Sequence, residues 1–203
     1  MKFFKENSYD IIKLYVNQIG IMIFSLFLTT AVGMVEDAGL SDILSLAVSI
    51  FSVLFFYVLI YCVVWEIGAR DKIKIDGGRL QPLKPKGLLL GSLANIPNVI
   101  LSVLTLIFLS ANLASGSGGM YSAFVVVNLL LRFHCSMYLG LVTFVTPDAV
   151  VNDAPDLNVY LVQTVLFVIL PLLSGLVTHL GYTLGSKDKR LFGFLSVPKK
   201  TNK

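Results

Sequence analysis

Five long apolar stretches run through the chain, separated by short polar connections. They cover Leu14–Val35, Ile43–Ile67, Gly87–Leu113, Met120–Val145 and Val159–Gly185. Each exceeds the ~20 residues that cross a ~30 Å hydrocarbon core at about 1.5 Å per residue. No series of segments alternates with period two, as the strands of a membrane barrel would. Lipid offers backbone N–H and C=O groups no partner, so these stretches are expected to be helices. The predicted fold is all-α: a polytopic membrane helical bundle with about five transmembrane helices. Residues 1–203 read as a single integral membrane domain, with a loop at 68–86 and a basic tail at 186–203.

Composition agrees with the pattern. Hydrophobic residues make up 56% of the chain and charged residues 14%, against about 25% charged in a globular protein. Mean hydropathy is +0.82. Lys2, Lys5 and Lys13 precede the first stretch, and Ala31-Val32-Gly33 resembles a cleavage site. The polar leader is long for a signal peptide and Asn17 and Gln18 intrude early, so a retained first helix is preferred. Cys62 and Cys135 both lie in apolar stretches and read as small hydrophobes, not a disulfide framework.

The net charge of +4 invites a nucleic-acid reading until the charges are placed. Fifteen of the sixteen lysines and arginines fall in three clusters: before the first stretch, between the second and third, and in the tail. Glu36, Asp37 and Asp42, and then Asp148, Asp153 and Asp156, occupy two other connections that hold no base. Basic loops favour the cytoplasmic side. The expected location is the cell membrane, with the N-terminus cytoplasmic and no nucleic-acid partner.

One stretch disturbs this map. Five full crossings would put the tail opposite the other two basic clusters. If Met120–Val145 does not cross, all fifteen bases share one side and all six loop acids the other. That stretch also holds the sixteenth base, Arg132. Either it dips in and returns with Arg132 near the turning point, or it is one ordinary spanning helix. Leu129–Tyr138 contains no Gly or Pro, which leans the local reading toward a continuous helix.

The connection 68–86 is the longest soluble piece. Lys72-Ile73-Lys74-Ile75 alternates, and Asp76-Gly77-Gly78 offers a tight turn, so a short cytoplasmic β-hairpin is expected. Arg70, Lys72, Lys74, Arg79, Lys84 and Lys86 are expected to meet anionic headgroups of the lipid bilayer, at about 1 kcal/mol each. A plainer reading has them only set topology.

Small and polar residues form one stripe per helix, which suits close packing; Gly87 and Gly91 fit a small-xxx-small contact. Bulkier polar groups suggest more. Asn95, Asn98, Asn128, Arg132, His134 and Gln163 all lie within apolar stretches and form the candidate substrate-binding set. An intramembrane arginine costs about 2.5–3.5 kcal/mol on insertion scales, so it faces the bundle or water. Pro97 and Pro171 each remove a backbone bond, the second freeing the carbonyl near Phe167. Broken helices beside polar groups build transporter sites; ordinary kinks are the bland alternative.

No His-Glu-x-x-His, nucleophile elbow or phosphate loop is present, so neither an enzyme nor a cofactor or metal is expected. The leading reading is a small permease, or the membrane subunit of a transporter, with a polar intramembrane cavity around Arg132. Five helices are few, so a homo-oligomer or a protein partner is expected. The alternative is a non-transporting scaffold that docks a partner on its basic loop.

Overall fold

The computed structural model describes residues 2–146, 150–151, 154–155, 157–189 and 191. Helices dominate: α1 (Lys2–Val32), α2 (Ala38–Asp76), α3 (Lys86–Ala94), α4 (Ile96–Ser115), α5 (Gly118–His134), α6 (Leu139–Val145) and α7 (Leu157–Gly185). A single 3-10 turn, Ser136–Tyr138, joins α5 to α6. Among the described residues four helices are long and apolar enough to cross a membrane: Phe3–Val32, Gly39–Asp76, Ile96–Ser115 and Asn158–Gly185. Gly118–His134 with Ser136–Val145 would make a fifth, but that pair is bent by 76°. The surface is consistent with a membrane location, since large apolar side chains such as Phe27, Leu129 and Leu176 face outward.

The expected β-hairpin is absent from the described residues. Lys72–Ile75 instead forms the last turn of α2, and Gly77-Gly78 stops that helix. Gly78 adopts φ 68°, the left-handed conformation that glycine takes at little cost. This lets the Gly78 and Arg79 amides donate back to the carbonyls of Ile75 and Lys74, at 2.9 and 2.8 Å. Four alternating residues cannot outweigh a long helix that is already nucleated and extends cheaply. The only strand pairing among the described residues is a two-residue contact of Val150–Val151 with Ala154–Pro155.

The helices also overrun or interrupt their apolar stretches. Helix α1 begins at Lys2 and takes in the polar leader. Asp37 starts α2, its carboxylate accepting from the Leu40 amide at 2.8 Å, as an N-cap residue does. The third stretch is divided at Asn95, with Pro97 in the first turn of α4, where its missing N–H costs least.

Side-chain pairs set the relative directions. Arg70 of α2 reaches Asp10 of α1, so these two run antiparallel. Successive positions of α2 meet successive positions of α7: Tyr57 donates to Leu170, Gly181 abuts Tyr61 and Gly185 abuts Trp65. These helices are therefore parallel. Gly87 and Gly91 of α3 lie against the Thr178 turn of α7, where a Cβ on either would collide with Thr178; this is the close approach expected of them. The described bases from Lys5 through Lys189, Arg132 apart, thus gather at one end of the bundle. Glu36, Asp37 and Asp42 lie at the other. Asp148, Asp153, Asp156 and the tail from Phe192 onward fall outside the described residues.

The core sits between α1, α2, α3, α7 and the α5–α6 joint. Phe56, Ile60, Val64, Leu90, Leu131, Tyr138 and Phe167 are buried together there.

Candidate functional site

Where α5 ends, the chain changes direction. His134 is its last residue and the short turn Ser136–Tyr138 leads into α6. No Gly or Pro causes this break. Tertiary contacts supply partners around it: the Ser136 hydroxyl donates to the Met22 carbonyl of α1 at 2.7 Å. The Gly140 amide donates to the Ser49 hydroxyl of α2 at 2.8 Å. A Cβ on Gly140 would strike the Ser45 carbonyl of α2, so α6 approaches α2 as closely as backbones can.

Both parts of this bent segment contact the opening of α7. Near its start, Phe124 meets Tyr160 of α7 edge-on, with ring centroids 5.2 Å apart. Just past its finish, the Thr146 carbonyl accepts from Gln163 of α7 at 3.2 Å. Tyr160 and Gln163 are one turn apart in the opening of α7. The lean toward one continuous helix is corrected: the segment is bent by 76°, and the break falls immediately after His134, two residues beyond Arg132.

The six candidate residues divide among four places. Arg132 is half-buried and its Nη2 donates to Gln163 Oε1 at 2.7 Å. No carboxylate pairs with it among the described residues. Gln163 is buried and spans Arg132 and the Thr146 carbonyl. Asn128 is half-buried one turn earlier on α5.

Asn98 occupies a second place, fully buried. Its Nδ2 donates to the Phe167 carbonyl at 2.6 Å, and its Oδ1 accepts from the Cys135 thiol at 2.8 Å. Phe167 stands four residues before Pro171, so its carbonyl is the one that the proline leaves without a helical donor. Asn98 takes over that acceptor. Cys135 is free, as is Cys62, and the thiol does more than fill space: it ties the broken joint to α4.

His134 stacks on Tyr15 with centroids 5.8 Å apart, its Nε2 lying 3.5 Å from the Gln18 amide nitrogen. Asn95, at the α3–α4 break, donates to the Gly91 carbonyl at 2.8 Å and to the Ser174 hydroxyl at 2.9 Å. Its Oδ1 is buried without a partner, beside a cavity of about 10 Å³ bordered by Gln18, Ser174 and Thr178. That is room for one water. Among the six, only Arg132 and Gln163 are in direct contact with each other; Asn95, Asn98 and His134 serve separate joints of the bundle.

A buried charged cluster at the basic end escaped the sequence reading. Lys86 Nζ lies 2.6 Å from Asp71 Oδ2, and the Tyr182 hydroxyl donates to the same oxygen at 3.1 Å. Lys86 is 7% exposed and Asp71 1%. Lys86 is therefore turned into the protein and away from headgroups. Arg70 is tied by one nitrogen to both oxygens of Asp10, at 2.7 and 2.8 Å. Lys72, Lys74, Arg79 and Lys84 remain at the surface. Counting charges by sign hid the pairs, because Asp71 lies beside Arg70 in a segment read only as basic.

Among the described residues no group of three His, Cys, Asp or Glu side chains could hold a metal ion. No known protein family, curated protein or solved structure matches this chain.

Proposed function

We propose that the chain is a small membrane permease, or the membrane subunit of a transporter, that handles an anion at Arg132. One observation carries this reading. Arg132 is an intramembrane cation whose bond among the described residues is to a neutral amide, Gln163 Oε1. A guanidinium offers five N–H donors, so most of its capacity is left for a ligand. The bent α5–α6 segment acts as a re-entrant hairpin, entering the bilayer from the acidic side with Arg132 near its tip. Non-helical backbone at that depth is tolerated because the joint is buried in protein. Asn128 and Gln163 flank the charge and would orient the anion.

This topology also reconciles the charge count. With α5–α6 returning to its own side, the three basic clusters share the cytoplasmic face, the N-terminus among them. A single cysteine introduced into the tail, with Cys62 and Cys135 replaced, is expected to resist an impermeant thiol reagent added outside intact cells. Labelling from outside would overturn the hairpin.

The transport reading is tested in proteoliposomes carrying the purified full-length chain. Flux of a panel of small anions is measured against R132L. The variant is expected to lose at least ten-fold of any Arg132-dependent flux, about 1.4 kcal/mol of lost anion stabilisation. Undiminished flux would reject the reading. The rival is a non-transporting scaffold. The internal bonding of Asn98, His134 and Gln163 favours it, since satisfied polar groups specify packing without any ligand. Under that reading R132L leaves flux unchanged, while charge reversal of Lys72 and Lys74 removes a co-purifying partner.

A further inference from the structure

At the basic end, opposite Arg132, a groove of about 320 Å³ opens between the end of α2, the linker before α3 and the end of α7. Ile75, Leu83 and Tyr182 supply its apolar wall; Lys84 and Lys187 supply two ammonium groups. Neither lysine has an acidic partner among the described residues, whereas nearby Lys86 is consumed by Asp71. Asp76 and Asp188 are close in sequence, yet neither lines the groove. The hydroxyls of Thr183 and Ser186 already donate to carbonyls of their own segment, at 2.8 and 2.9 Å. Recognition of an anion here therefore falls to the two lysines.

The groove continues onto a lipid-facing surface. His179 lines it from α7. Leu176 and Leu180, on the same face by helical spacing, are 62% and 45% exposed. Positive charge at one end and exposed leucines running from the other match a phosphate on an acyl chain. The volume is at the lower end of the about 300–1,000 Å³ usual for ligand pockets, which suits a headgroup better than a whole lipid.

We propose that this groove binds the headgroup of an anionic phospholipid, with Lys84 and Lys187 on the phosphate and an acyl chain along Leu180 and Leu176. Basic pockets between helices at a membrane face hold anionic headgroups in this way. The site goes beyond the Arg132 reading and needs only that the chain be embedded in a bilayer.

Native mass spectrometry of the full-length protein tests it by counting retained lipid after equal exposure to phosphatidylglycerol or phosphatidylcholine. Preferential retention of phosphatidylglycerol is expected. K84A/K187A should weaken it about 30-fold, from two surface lysines near a headgroup. K72A/K74A, which removes two bases of the same face outside the groove, should weaken it less than two-fold. None of the four lysines is buried, so an unchanged unfolding temperature is expected and reports that the fold persists. Equal retention of the two lipids, or equal weakening by both variant pairs, would overturn the site. So would displacement by millimolar inorganic phosphate, which would assign the lysines to a free anion.

Discussion

Two cations inside this protein have opposite fates. Lys86 is buried at the basic end and meets Asp71 and Tyr182; Arg132 is half-buried near the α5–α6 break and meets an amide. A buried charge with its counter-charge in place is part of the scaffold. Removing one partner strands the other, at about 3–5 kcal/mol. A charge met only by a neutral group keeps its capacity for a ligand. The difference separates what holds this bundle together from what it could bind.

Four variants sharpen that contrast. D71A leaves the Lys86 ammonium buried and unpaired, so thermal unfolding in detergent should show a loss of about 3–5 kcal/mol. D71L/K86M should recover most of it, short of the orphaned Tyr182 hydroxyl. If D71A is as stable as the native chain, the pair is ornamental and the contrast fails. N98L comes next. It strips the Phe167 carbonyl and the Cys135 thiol of their partner, an expected cost of about 1–3 kcal/mol, read in the same unfolding assay. R132L should be the mildest, within about 1 kcal/mol of native stability, because leucine suits the bilayer and only one neutral partner is lost. A loss as large as that of D71A would make Arg132 a structural residue.

The two helix interruptions teach how far local sequence reaches. Pro171 announces itself: it must free the Phe167 carbonyl, whatever the fold. Which group takes that carbonyl is another matter. Asn98 and Cys135 are 69 and 37 residues from their partners along the chain, and no local pattern connects them. The break after His134 announces nothing. Leu129–Tyr138 is a sound helical sequence, and it stops because Ser136 and Gly140 find better partners on α1 and α2. Only the charge map marked this stretch as anomalous, since one crossing too many would have split the bases between two sides.

Errors in the loop have the same origin. Lys72–Ile75 alternates over four residues, too few to distinguish a strand from the end of a helix. The turn signal at Asp76-Gly77-Gly78 was sound, but it closes a helix. Arg70 and Lys86 looked like surface bases because their acids, Asp10 and Asp71, were invisible as partners until α1, α2 and α3 came together.

The sequence by itself determined the apolar helices, their membrane character, the segregation of charge and the isolation of Arg132. All of these follow from composition and period along one dimension. Tertiary structure alone decided that α5–α6 is broken after His134, which cations are neutralised and which amides are already engaged. Each of those depends on a partner far away in the chain, and a buried polar group has no preference of its own except to be satisfied by whatever the packing brings within reach.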